Sequence, residues 1–323
     1  MSRIAGSRYD VLLARALNRE YPRGLRRADA SLYARLGLTP RTTLGRAPAS
    51  RAWYDPSGHK LLLRRAPTPG RALVINELVR ALVDQNYKLS RLTGLRARDR
   101  DRSLAATAIV DGTAALASGL HAHPLRGTPI DRFHQLEDSA GVGPGRALAA
   151  ELRYLGGQTA LASALRTFPQ TTEQLLHVDK FLERERALPV RLPSWAGSAK
   201  LSFSETFGEL DVRNLMQAFG FPDAAGVAAG WGGGRLSLYG SGEDAVAALV
   251  LRWDSPDDAA EWRDATPRYV AAAFPGAAVR DCPPLDHCWS GAAGVSAGVL
   301  GKTSVIASGP GSEAVAAGLL HVP

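Results

Sequence analysis

Glu77 and Arg80 stand three residues apart in the segment Val74-Ile75-Asn76-Glu77-Leu78-Val79-Arg80-Ala81-Leu82-Val83-Asp84-Gln85. On a helix that spacing brings a carboxylate and a guanidinium close enough to pair. A glutamate held in this way can take up and release a proton, so metal-free acid/base chemistry through Glu77 is one reading of the segment. Asn76 offers only an amide, a poor metal ligand, and the permanently protonated Arg80 has no lone pair to donate. The alternative is that Asn76 and Arg80 simply face solvent. Elsewhere, His121-Ala122-His123 with His134 forms a local cluster of histidines. A zinc site there needs a fourth group such as Asp131 or Glu137, at no recognised spacing, so surface or capping roles are expected. The glycines Gly230 to Gly234 lack the Gly-Lys-Ser/Thr ending of a phosphate loop, and Gly141, Gly143 and Gly145 precede a helix with no strand before them. Ser290 to Gly301 reads as a tight strand turn, and serine hydrolase chemistry is not expected.

The elements that must position Glu77 can be read from periodicity. A helix from about Arg71 to Leu92 carries Leu73, Val74, Leu78, Ala81 and Leu82 at helical spacing, with Glu77, Arg80, Asp84 and Lys88 at other angles. Before it, Trp53 to Arg65 reads as a hairpin turning at Asp55-Pro56-Ser57-Gly58. After it, a second helix from Asp101 to Leu120 is rich in Ala, Leu and Val, which implies burial on most sides; Gly112 inside it costs about 1 kcal/mol unless close packing requires it. Short helices are expected at Tyr9 to Asn18 and Ala28 to Leu36, with a connector from Pro40 to Ser50. Others are expected at Arg146 to Leu155, Gln158 to Arg166 and Thr171 to Arg184, with a stop near His177. From Arg235 onward the pattern changes to strands and intervening helices. The fold class expected is α+β: a mainly helical body over 1–193, then a smaller α+β unit over 194–323.

The Glu77 segment resembles the active-site helix of bacterial, actinobacterial-type zincin-like metallopeptidases, in which His-Glu-x-x-His is followed closely by Ala-Leu-x-Asp-Gln. Other segments resemble that family in the same order. They are Trp53-Tyr54-Asp55-Pro56 with Lys60-Leu61-Leu62-Leu63, Ala108-Ile109-Val110-Asp111-Gly112-Thr113-Ala114, and Phe168-Pro169-Gln170-Thr171-Thr172-Glu173-Gln174-Leu175-Leu176-His177. Phe207-Gly208-Glu209-Leu210 and Gly230-Trp231-Gly232-Gly233 add later matches, so the likeness spans roughly residues 10 to 275. It implies a zincin-like fold in which Glu77 is the vestigial general base and Asn76, Arg80 and Asp111 occupy the positions of the three zinc ligands. Zinc is the cofactor expected of the family, but its three ligand residues are absent here, two histidines being replaced by Asn76 and Arg80 and a glutamate by the shorter Asp111. The resemblance therefore implies a pseudopeptidase, without cofactor, working as a binding or regulatory protein on a peptide or protein partner. With Asp111 in the same cavity, Arg80 would sit between two carboxylates and supply the cation that zinc supplied. The alternative is an active hydrolase with a non-standard metal site or metal-free acid/base chemistry at Glu77.

Composition sets the bounds. The chain has 323 residues and a hydrophobic share of 45%, which excludes disorder as a whole. No window reaches the ~18 unbroken apolar residues of a membrane-spanning helix. Residues 1–100 carry 21 basic and 7 acidic side chains, a balance of +14 that leaves −6 for the rest. These cations are mostly arginines scattered through helical segments with few aromatics between them, so a solvated basic face is expected rather than a nucleic-acid surface. The N-terminal residues show no apolar leader as written, giving a cytoplasmic expectation, with export if an upstream start encodes one. Under that expectation Cys282 and Cys288 are reduced thiols; a disulfide fits only an exported protein.

Overall fold

The computed structural model describes residues 2–38, 51–291 and 294–321; the connector expected at Pro40 to Ser50 lies outside them. The architecture is α+β. The described residues within Met1–Arg26, Thr42–Leu125 and Gln135–Glu185 form one compact unit, and those within Arg27–Arg41, Arg126–His134 and Arg186–Pro323 form a second. The last division between the units falls after Glu185, where the sequence reading put a boundary after residue 193. Two short earlier segments also belong to the second unit, because Leu32, Tyr33, Leu36, Leu38, Ile130 and Phe133 are buried in its core.

In the first unit the hairpin is β2 (Ala52–Asp55) against β3 (Lys60–Arg64), with β1 (Ser2–Ile4) added parallel on the far side of β3. Asp55 fixes the turn, accepting from the Ser57 amide at 3.1 Å and its hydroxyl at 2.7 Å. Alternation along the strands gives the little sheet two apolar faces. Ala52, Tyr54, Leu61 and Leu63 pack on Leu73, Val74 and Ala81, while Leu62 packs on Tyr9 and Leu13 of the helix Gly6–Glu20.

The helix Arg71–Tyr87, here the Glu77 helix, stops earlier than expected: Lys88 adopts a left-handed φ of 54° and a short 3-10 turn, Leu89–Leu92, follows. Its buried face also differs from the apolar periodicity. Leu78 and Leu82 are 44% and 57% exposed, whereas Asn76, Glu77, Val83 and Asp84 are buried. Burying two carboxylates is tolerable only because each is bonded, as described below.

The second long helix, Arg100–Ser118, is the Asp111 helix; Asp99 caps its start by accepting from the Arg102 amide at 3.1 Å. It is buried on most sides, and Gly112 is where a π-helical turn, Gly141–Gly145, presses against it. A Cβ on Gly112 would collide with the carbonyl carbon of Gly145, and one on Gly145 would collide with the Ala108 carbonyl. Close packing thus requires these glycines, and the Gly141 to Gly145 run serves helix packing. The turn leads into the helix Arg146–Arg166, broken at Gly156 and Gly157 as the two-helix reading expects. Helices Thr172–Leu176 and Val178–Glu183 then divide at His177.

The second unit is built on an antiparallel sheet of eight strands in the order β4-β5-β6-β7-β11-β10-β9-β8. Their ranges are β4 Trp195–Ala196, β5 Ala199–Thr206, β6 Trp231–Tyr239, β7 Val246–Trp253, β8 Ala278–Cys282, β9 Leu285–Ser290, β10 Val295–Leu300 and β11 Thr303–Ser308. In β7, Ala247, Leu249, Leu251 and Trp253 face one core with the helix Pro256–Ala273, while Val246, Ala248 and Val250 face another with the helix Ser312–Leu319. Burial on both faces is why this strand reads as a continuous apolar run. Three expectations are corrected here. The segment read as a tight turn over Ser290 to Gly301 contains β10; its small residues, Ser296, Ala297 and Gly298, suit a strand covered on both sides. The stretch holding His134, where no helix was expected, is the helix Pro129–Asp138. Cys282 and Cys288, expected as reduced thiols, are joined in a disulfide with Cα atoms 5.9 Å apart across the β8–β9 hairpin.

Candidate functional site

Three elements of the first unit build the site around Glu77. The hairpin lies on the Glu77 helix with the backbone amide of Tyr54 donating to Glu77 Oε2 at 2.8 Å. Two turns further along the same face, Asp84 accepts from the Tyr54 hydroxyl at 2.6 Å and from the Leu89 amide at 2.7 Å, and its Oδ2 is 3.0 Å from His59 Nδ1. Residues seven apart on a helix lie above one another, so these two carboxylates pin the hairpin at two heights. Asp84 also closes the C-terminal end of the helix through Leu89.

The third element is the Asp111 helix. Arg80 reaches across to it, placing Nη1 2.6 Å from Asp111 Oδ1, while Arg80 Nε is 3.8 Å from Glu77 Oε2. The guanidinium therefore lies between two carboxylates, and Asn76 is buried beside Glu77. Neither Asn76 nor Arg80 points freely to solvent, although Arg80 and Asp111 keep side-chain exposures of 23% and 29%. Asp111 comes this close because Gly141 packs on it: a Cβ there would collide with the Cβ of Asp111. The N-terminal end of the same helix is tied down by the Phe168 to His177 segment. Asp101 accepts from the Thr172 amide at 3.1 Å and its hydroxyl at 2.5 Å, and buried Arg100 pairs with Glu137.

The electrostatics follow from this geometry. Burial pushes the Glu77 carboxyl above the usual carboxylate range, with Asp111 adding to the shift and Arg80 and the Tyr54 amide drawing it partly back. Burial likewise raises Asp111 against the pull of Arg80. For Arg80, burial opposes the charge, but Asp111 and then Glu77 outweigh it, so the guanidinium sits above its ordinary value and stays charged. Chemically the arrangement is a fixed cation with two carboxylates around it, both of which hold their protons more readily than exposed carboxyls do.

The other residues raised by sequence are engaged elsewhere. His121 is 2.6 Å from Arg146, and His134 packs by ring contacts on Tyr33 and Phe133 of the second unit. Asp131 caps Thr128, and Glu137 is the partner of Arg100. Gly233 in the glycine run belongs to β6, where the Leu188 carbonyl lies so close that a Cβ would collide with it. Gly294-Val295-Ser296-Ala297-Gly298 carries a Gly-x-Ser-x-Gly spacing that the sequence reading overlooked. Ser296 is no nucleophile elbow, since it sits within β10, is buried, and shares a 3.0 Å hydrogen bond with Ser312. Sequence reasoning also missed Tyr54 and Asp84 as parts of the site; the signal available was the two-turn spacing of Glu77 and Asp84.

Residues 199–318 match a family described as a domain of unknown function (DUF8575). The match covers less than half of the chain, and neither the Glu77 helix nor the Asp111 helix lies within it. No curated protein and no solved structure matches the chain.

Proposed function

We propose that the first unit is a zincin-like scaffold whose catalytic metal site has been replaced by an internal cation, and that the protein acts as a binding or regulatory protein on a peptide or protein partner rather than as a peptidase. The observation that carries this reading is the position of Arg80, 2.6 Å from Asp111 and 3.8 Å from Glu77. A guanidinium there balances two carboxylates that would otherwise be costly to bury. The residues present do not fit zinc. Asn76 offers an amide and Arg80 has no lone pair, which leaves Asp111 as the one ordinary ligand among the three positions. The disulfide between Cys282 and Cys288 supports an exported protein in this reading, because such pairs persist in oxidising compartments.

Metal analysis by mass spectrometry tests it, on the wild type and on the double variant Asn76→His with Arg80→His. The expected result is below ~0.1 zinc per chain for the wild type and about 1 for the variant, since two histidines four apart on one helical face with a nearby carboxylate make a zinc site. Stoichiometric zinc in the wild type overturns the reading. A second reading, a hydrolase using metal-free acid/base chemistry, is favoured by the raised pKa of Glu77. Hydrolysis of a fluorogenic peptide library that Glu77→Gln abolishes, with chelators having no effect, would establish it in place of the first.

A further inference from the structure

Away from Glu77, the first unit holds a cavity of about 430 Å³ into which four arginines converge: Arg91, Arg98, Arg102 and Arg166. That volume lies in the range of small-molecule sites. No acidic side chain lines it. Among the described residues no ion pair engages any of the four guanidinium groups. Elsewhere in the same unit arginines find carboxylates, as Arg64 does with Asp10, Arg80 with Asp111 and Arg100 with Glu137. Four like charges around one cavity repel one another, and an anion bound among them relieves that repulsion.

One of the four is already fixed. The Arg91 guanidinium stands 3.9 Å from the centroid of the Phe168 ring and donates to the Arg166 carbonyl at 2.7 Å and to that of Leu165. It is thus held in place without a ligand. Arg102 lies in the first turn of the Asp111 helix, where the helix dipole adds positive potential. Leu92 and Leu95 give the cavity an apolar side. Nucleic acid is the less suitable occupant: Phe168, the aromatic ring of the lining, is buried and covered by Arg91, so it offers no face for a base to stack on.

We propose that this cavity binds a small phosphate monoester carrying an apolar or aromatic group. A phosphate dianion presents several acceptor oxygens to guanidinium forks, and its ester substituent can lie against Leu92 and Leu95. This site is independent of the reading given to Glu77.

The test is isothermal titration of the full-length protein with phenyl phosphate at low salt, with benzoate as a singly charged aromatic control. The double variant Arg98→Glu with Arg102→Glu serves as the site knockout. Both side chains are exposed and in no ion pair, Arg98 making only a 3.5 Å hydrogen bond to the Thr93 carbonyl, and glutamate at 102 is well suited to the first turn of a helix, so circular dichroism should match the wild type. Arg91 is left in place because it holds the end of the helix Arg146–Arg166. The expected result is saturable binding of phenyl phosphate, at least ~10-fold tighter than benzoate, weakened by salt and reduced at least ~10-fold in the variant. The proposal is overturned by an absence of saturable binding, by equal affinity for benzoate, or by equal affinity in the folded variant. Binding of a single-stranded oligonucleotide or of anionic lipid vesicles without binding of phenyl phosphate also overturns it, in favour of a polyanion surface. Should the double variant not fold, Arg102→Ala alone is read against the same criteria.

Discussion

Around Glu77 the buried face of a helix is lined with carboxylates, each held by a named donor: Tyr54 N for Glu77, with Arg80 as a longer ion-pair partner at 3.8 Å, and Tyr54 Oη and Leu89 N for Asp84. The two faces of β7, in the other unit, are filled by Ala, Val, Leu and Trp side chains that meet other apolar groups. Removal of surface from water stabilises the second region, a term that is additive and indifferent to direction. The first region depends on a few bonds whose loss leaves a buried charge behind, which costs more than the bond itself contributes. A region built this way is suited to holding charges in fixed positions rather than to adding stability.

That contrast can be broken by substitution. The largest effect expected is in the apolar region: Trp262→Ala removes a side chain that is fully buried against Trp253 and should cost about 4 kcal/mol in urea unfolding. Next comes Gly112→Ala. Helix propensity alone says that alanine gains about 1 kcal/mol, but the collision with Gly145 should reverse the sign, to a loss of about 3 kcal/mol by the same measurement. A gain in stability would show that the π-helical turn does not press on the Asp111 helix.

Smaller again is Arg80→Met, which leaves Glu77 and Asp111 facing each other without a cation. Because Arg80 and Asp111 keep 23% and 29% exposure, the loss should be about 2 kcal/mol, below that of a fully buried pair. Adding Asp111→Asn should recover part of it. An additive double variant would mean that Arg80 does not compensate Asp111.

The smallest effect sharpens the comparison through pH. The folded state holds the Glu77 proton more tightly than the unfolded chain does, so folding takes up a proton over the interval between the two pKa values. The contribution of Glu77 is therefore greatest below the ordinary carboxylate range and is lost as pH rises through its elevated folded value. Glu77→Gln removes this dependence. Relative to the wild type, the variant should gain stability as pH is raised from the ordinary carboxylate range through the elevated folded value of Glu77 and level off above it, as read from urea midpoints. A difference that stays flat with pH would mean that the Glu77 carboxyl is not raised.

How much of this was legible in advance differs by element. The Glu77 and Arg80 pairing follows from their spacing on a helix, and the hairpin from its turn residues. The hairpin's role does not follow, because the amide of Tyr54 becomes a donor to Glu77 only when the strand docks, and every residue has such an amide. Apolar spacing placed Leu78 and Leu82 on the buried side of the helix, yet the hairpin and the Asp111 helix pack against the side bearing Asn76, Glu77 and Asp84. Strand β10 was missed because small residues read as a turn when only the local chain is considered. The glycines at 112, 141 and 145 show the same limit: their purpose is an approach between segments about 30 residues apart.

By itself the sequence determined the α+β class, the helix that carries Glu77 and Arg80, the hairpin before it and the apolar strands of the second unit. These depend on local periodicity and turn chemistry, which act over a few residues. Only the tertiary structure decided that Arg80 meets Asp111, that Asp84 bonds Tyr54, that Cys282 pairs with Cys288, and that four arginines surround one cavity. Such contacts depend on which faces pack together, and a charged or polar side chain takes its role from the partner that packing brings to it.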